Sequence, residues 1–281
     1  MYTHPDGDLM VRYLCFICPG ILIVILILFL WPHSFADNER GLLESVIEGR
    51  ARVIDLTYPL NGKSPYWPGP GYRPFKHEVI SRLGTKGAYS GSYSTPEHLG
   101  THVDAPNHFG LNQPSVDQLS LDQLTGPATV IDIRKQAASD PDYRLSVDDI
   151  KKWEAQNGRI PKGAIVLMHS GWGERWVDGD RYKNADPSGT MHFPGFSEEA
   201  ALLLAEERDV KAIGVDTLSV DNGPSKDFSV HHVFNSRGKW MLENLDNVEK
   251  LPPRGATLIV APIKIEGGSG GQARVWAIIH P

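Results

Sequence analysis

The chain has 281 residues, 41% of them hydrophobic and 22% charged, with a formal net charge of −6. That is ordinary globular composition, and the acidic balance without a basic stripe excludes nucleic acid and anionic membrane surfaces as partners. A chain of this size hides roughly 70–75% of its unfolded surface, so neither disulfides nor a metal is needed merely to fold it.

Leu14 to Trp31 is almost wholly apolar, Arg12 precedes it, and the small-x-small triplet Ser34-Phe35-Ala36 leads into the polar run Asp37-Asn38-Glu39-Arg40. The pattern reads as a secretory signal over residues 1–36, cleaved after Ala36, and predicts an exported chain, periplasmic or secreted. About 18 apolar residues also reach the length of a bilayer span, so the alternative is an anchor formed by residues 14–31. Both cysteines, Cys15 and Cys18, lie in this leader. Residues 37–281 therefore hold neither a disulfide framework nor a thiolate metal site, and a chain of about 245 residues is expected to form one domain.

Gly41–Gly49 reads as a short helix and Ala51–Leu56 as a strand rich in branched apolar residues. Asn61 to Pro74, dense in proline and glycine, reads as an ordered loop. Ala128–Ile133, Ala164–Met168, Lys211–Val215, Ala256–Val260 and Arg274–Ile279 are apolar runs bounded by Gly or Pro, expected as buried strands. Ser146-Val147-Asp148-Asp149 is a capping box that opens a helix, and Asn157-Gly158 stops it. Ser197-Glu198-Glu199 opens a second helix that continues through Ala200–Glu207. Strands and helices alternate from Ala128 onward, which predicts an α/β fold: a mixed sheet or open barrel faced by a few helices.

The chemistry concentrates in Glu97 to Phe109, E-H-L-G-T-H-V-D-A-P-N-H-F. His98, His102, Asp104 and His108 fall within eleven residues there, and Gly100 and Pro106 break up regular structure. In an extended piece His102 and Asp104 point to the same side. Gly100 lets the backbone fold so that His98 joins them. Neutral imidazole nitrogen with carboxylate oxygen suits a divalent metal, zinc or manganese. Surface histidines beside a turn-capping aspartate are the plainer explanation of any one of these groups, but not of four together.

The segment resembles the H-x-G-T-H-x-D-x-P-x-H motif of the cyclase-like metal-dependent hydrolases, the family of bacterial kynurenine formamidase and isatin hydrolase, and every defined position matches. Ile213-Gly214-Val215-Asp216, His231 through Glu243-Asn244-Leu245, and Pro262 to Gly271 are similar too, so the likeness runs from about Val53 to the C-terminus. The resemblance implies a cyclase-like swivelling β/β/α domain assembled as a homodimer or a dimer of dimers. It implies His98, His102 and Asp104 as ligands of a first metal. His231 and Glu243, twelve residues apart, match the pair that completes a second metal or closes the first site, so one or two ions per subunit remain open. His108 matches the general base and acid. Two stretches depart from the family pattern, Asn235-Ser236-Arg237 and Gly271-Gln272-Ala273, and both fall where substrate would be lined.

A divalent ion held there makes hydroxide available at neutral pH. Its attack on a linear or cyclic amide, of the aryl formamide or isatin kind, is the reaction the resemblance implies. His108, with an ordinary pKa near 6.5, takes the water proton and returns it to the leaving nitrogen. The partner is then a small-molecule substrate. An exported lactone or ester hydrolase, a lyase using the same site, and a non-catalytic metal-binding protein are the competing readings, and a base at His108 argues against the last. His192, Tyr66, Trp67, Tyr93 and Trp172 are candidates for an aromatic pocket, His169 for a place near the site, and His232 for packing beside His231. Ser170 lacks a nucleophile elbow. His77 and His280 read as ordinary surface or packing residues.

Overall fold

A computed structural model describes residues 41–84 and 87–279. The apolar leader with both cysteines, the cleavage triplet and His280 lie outside the described residues. The chain divides into two units, Met1–Glu44 and Ser45–Pro281, and the second carries the fold. Among the described residues no helix is long and apolar enough to cross a membrane.

The strands in chain order are β1 (Arg52–Asp55), β2 (Lys76–Ser81), β3 (Ser90–Ser94), β4 (His102–Asp104), β5 (Thr125–Asp132), β6 (Arg144–Leu145), β7 (Ile165–His169), β8 (Gly195–Phe196), β9 (Ala212–Val215), β10 (Trp240–Glu243), β11 (Ala256–Pro262) and β12 (Gly270–Ile279). Seven of them form one mixed sheet in the order β12-β11-β5-β7-β9-β10-β4, and a further pairing of β4 with β12 closes it into a barrel. β5, β7, β9 and β10 run parallel, whereas β4, β11 and β12 pair antiparallel. β1 adds to the far half of β12.

The mixed sheet was expected; its closure was not settled by sequence, because the closing pairs are Gly270 with Asp104, Gly271 with Val103 and Gln272 with His102. Glycine in a strand gives no propensity signal, so sequence begins this strand only at Arg274.

Strand alternation sorts the core into two layers. Ile165 and Leu167 of β7 point into the barrel with Val130, Trp240, Leu242 and Leu258. Val166 and Met168 point outward against Ile150, Trp153, Leu204 and Phe234 of the covering helices. Strands covered on both faces read as unbroken apolar runs, which explains the sequence I-V-L-M. Each such side chain contributes about 1.5–3 kcal/mol on burial.

The helix Val147–Asn157 is capped as its sequence dictates: Ser146 Oγ accepts from Asp149 N–H, the Asp149 carboxylate accepts from Ser146 N–H, and Gly158 turns at φ 83. The second helix starts at Ser197 but departs from expectation, widening from Glu198–Leu202 into a π-turn over Leu203–Glu207. Just past it Arg208 pairs with Glu154, with Nε–Oε1 at 2.7 Å and Nη2–Oε2 at 2.9 Å.

Candidate metal centre

β4 and β10 pair so that His102 faces Glu243 and Asp104 faces Met241. Val103 and Leu242 belong to the barrel core, so alternation puts His102, Asp104 and Glu243 together on the outer face. His98 arrives from the loop before β4. Gly100 turns that loop at φ 68, and a Cβ there would meet Leu60 Cδ2 at 2.4 Å. Across the sheet a Cβ on Gly270 would meet His98 Cε1 at 2.6 Å, so only glycine leaves room for the ring.

Pro106–His108 forms a single 3-10 turn. The expected bend at Pro106 is therefore present, and it folds His108 back until its ring stacks on His98 at 4.0 Å between centroids. His231 comes from the helix Ser229–Asn235, which sequence reading did not mark. Phe228 opens that helix at φ 50, a strained value for a bulky residue.

The residues holding the histidines in place were also invisible in the sequence. The Asp221 carboxylate accepts from the N–H groups of Val230 (2.9 Å) and His231 (3.2 Å) and from His231 Nδ1 (2.6 Å). Gly100 O accepts from His102 Nδ1 at 2.8 Å. With both Nδ1 atoms donating outward, Nε2 is the nitrogen each ring turns inward, and it can bind an ion once it sheds its proton.

Both Nε2 atoms meet carboxylates. His102 Nε2 lies 3.0 Å from Asp104 Oδ1 and 3.5 Å from Glu243 Oε2. His231 Nε2 lies 3.4 Å from Asp104 Oδ2 and 3.5 Å from Glu243 Oε1. All four residues are buried, and His102 Nε2 and Asp104 Oδ2 have no hydrogen-bond partner. Two buried carboxylates set against two imidazoles require positive charge between them, which protons on the rings supply in the free protein and a divalent cation would supply in their place. The donor atoms fit one. Among the described residues two groups have ligand atoms that all lie within 4.8 Å inside the group, His98–Asp104–His108 and His102–Asp104–Glu243, and Asp104 belongs to both.

Ionisation follows the same demand. Burial disfavours charge on His102 and His231, yet the carboxylates around Asp104 hold them up to about 9 and about 10. Burial, with Asp104 beside it, pushes Glu243 up to about 8. Asp104 stays well below the usual carboxylate range: burial opposes this, but His102 and His98 outweigh it. His108 behaves oppositely, pushed down to about 3 mainly by burial and also by the neighbouring histidines. It is thus neutral, in contrast to His102 and His231.

Trp67, Tyr72, Phe109, Leu218 and Phe228 wall a cavity of about 110 Å³ whose floor is His98, Asp104, His108, His231 and Glu243. A wider cleft of about 440 Å³, from Pro70–Pro74 to Ser94–His98, shares Tyr72 and His98 with it.

Of the aromatic candidates only Trp67 lines the cavity. Tyr66 bridges to Leu99, Tyr93 is 58% exposed on the hairpin, and Trp172 is buried with its Nε1 donating to Tyr182 O. Tyr72, Phe109 and Phe228 take those places, brought together by loops rather than by any local pattern.

His169 lines a separate cavity with Tyr58 and Trp176, and His192 pairs with Asp142, so both lie away from the centre. His232 packs edge-on against Phe109, and His77 is exposed on β2. Ser170 donates to Asp216. The two departures from the family pattern are scaffold rather than substrate lining. Asn235 Oδ1 accepts from Phe109 N–H, and Gln272 Nε2 donates to the carbonyls of Pro96, Glu97 and Leu99. Arg237 bonds to Glu206.

Fold and centre together define a metal-dependent hydrolase of the swivelling β/β/α kind. A match to the cyclase family, described as "Putative cyclase", spans residues 54–222, and the chain belongs to that family. It is 34% identical to isatin hydrolase of Roseibium aggregatum over 254 residues, 85% of this chain and 96% of that one. It is 30% identical to kynurenine formamidase of Bacillus cytotoxicus over 231 residues, 81% and 97% of the two chains. The structure of isatin hydrolase A from Ralstonia solanacearum superposes with a TM-score of 0.81 at 38% identity, covering 85% of this chain and 96% of that one.

Proposed function

We propose that the substrate is an aryl amide of the isatin or aryl formamide class, and that His98, His102, Asp104, His231 and Glu243 hold the ion. The observation that carries this is the convergence of two imidazole nitrogens and two buried carboxylates beside an aromatic-walled cavity. A bound divalent ion polarises the carbonyl and lowers the pKa of water. His108 Nε2 or Nδ1 takes the proton of the attacking water and delivers it to the leaving nitrogen. Trp67, Tyr72, Phe109 and Phe228 stack on the aryl ring and exclude water. Nitrogen and oxygen donors without thiols favour zinc or manganese, and the two oxygens of Asp104 allow one ion or two.

The purified chain should open isatin or an aryl formamide with one oxygen from isotopically labelled water entering the new carboxylate. Turnover without labelled oxygen would instead indicate a lyase, turnover of lactones alone an ester hydrolase, and no turnover of any of them a metal-binding protein.

Export and self-association belong to the same proposal. The 1–36 leader directs the chain out of the cytoplasm, so N-terminal sequencing of native protein should begin at Asp37; an intact leader would mean a membrane anchor at residues 14–31. The hairpin β2–β3 exposes Val79, Ile80, Leu83, Tyr89 and Tyr93 at 40–74%, an apolar surface that a second copy would cover in a homodimer. Light scattering that gives a monomer would contradict this.

A further inference from the structure

Among the described residues five buried side-chain polar atoms lack a hydrogen-bond partner, and three belong to residues around the centre: His102 Nε2, Asp104 Oδ2 and Ser219 Oγ. An ion held at the centre would account for the first two. Ser219 is neither a ligand type expected here nor part of the proton transfer, yet it lines the same cavity as Asp104, His108, His231 and Glu243 and is only 2% exposed.

A buried serine hydroxyl ordinarily turns to a nearby carbonyl. Here the neighbouring backbone groups are already engaged. Asn244 N–H donates to Thr217 O at 3.0 Å, and Thr217 Oγ1 donates to Ser219 O at 2.8 Å. Val220 N–H donates to Glu243 Oε1 at 3.0 Å, and Asp221 holds His231. The segment is thus tied to the centre on both sides while one donor stays idle, which costs stability without return in the free protein. Idle donors held rigidly at a reaction site are what stabilise charge that appears only during reaction.

We propose that Ser219 is a further catalytic residue, its Oγ–H donating a hydrogen bond to the oxygen of the amide carbonyl as negative charge builds there. No bond to Ser219 forms or breaks. The inference rests on the hydrolase reading above.

The test compares Ser219→Ala with wild type, using isatin and an aryl formamide as probes. Ser219→Ala should lower kcat and kcat/KM together by ~10²–10³-fold, as expected for a donor used in the transition state, with metal content per chain unchanged. Because the substitution removes an unpaired polar atom, Tm of the chelated protein should stay level or rise. Ser219→Cys, which keeps a weak donor, should fall between the two. A lower Tm for chelated Ser219→Ala would show a structural role and overturn the proposal, as would full activity beside an active wild type. If wild type cleaves neither probe, the hydrolase reading fails first, and the assignment of Ser219 falls with it.

Discussion

His108→Ala is expected to keep its metal and lose ~10²–10⁴-fold in kcat, the range typical of a missing general base. The structure separates His108 from His102 and His231 by charge state. His102 and His231 are held protonated up to about 9 and about 10 by the carboxylates they face, and each would shed that proton to bind an ion. His108 is driven the other way, to about 3, first by burial, so it stands neutral. Its ring lies against His98, which keeps it on the floor of the cavity beside Asp104 and Glu243. Metal analysis and kcat measured on one preparation decide the matter. Loss of metal in step with activity would make His108 a ligand within the His98–Asp104–His108 set. Full activity would pass the proton to His231 or Glu243.

Asp104→Ala should lose both metal and stability. Asp104 is fully buried and touches His98 at 2.6 Å, His102 at 3.0 Å and His231 at 3.4 Å. Removing it strands positive or polar rings in the interior, at a cost of about 3–5 kcal/mol. For a domain of this size that lowers Tm by roughly 6–20 °C, measured on chelated protein so that lost metal binding is not counted twice. The sign with pH follows from its depressed pKa. Asp104 stabilises the fold fully above its unfolded value of 3.8, and the contribution fades only as pH falls through the lower folded value. The deficit of the variant should therefore be complete at pH 7 and shrink in strong acid. A chelated variant as stable as wild type would mean that Asp104 carries no structural charge.

What sequence makes legible here is whatever one segment carries by itself. The capping box at Ser146–Asp149, the stop at Gly158 and the doubly buried β7 are local patterns and appear where expected. The motif His98–His108 is local too, and its bend at Pro106 follows from proline geometry. The centre is only half local. Glu243 stands opposite His102 because β10 pairs with β4, and that antiparallel match joins residues 141 apart in sequence. The family resemblance supplied Glu243 and His231; periodicity alone would not have. Nothing in the sequence marks Asp221 as the partner of His231, or Tyr72, Phe109 and Phe228 as one wall, since three separate loops meet there. The hairpin β2–β3 went unread because its mostly exposed faces carry no strict alternation. The helix Ser229–Asn235 is too short, at seven residues, to show its period.

The central claim is that this centre works only with a divalent ion held between those carboxylates and imidazoles. The most direct measurement is to strip the purified protein with a chelator, assay isatin hydrolysis, and titrate zinc or manganese back while recording activity against bound metal. Activity should vanish on stripping and return in proportion to metal bound, reaching its plateau at one or two ions per chain. Stripped protein that remains fully active would contradict the account.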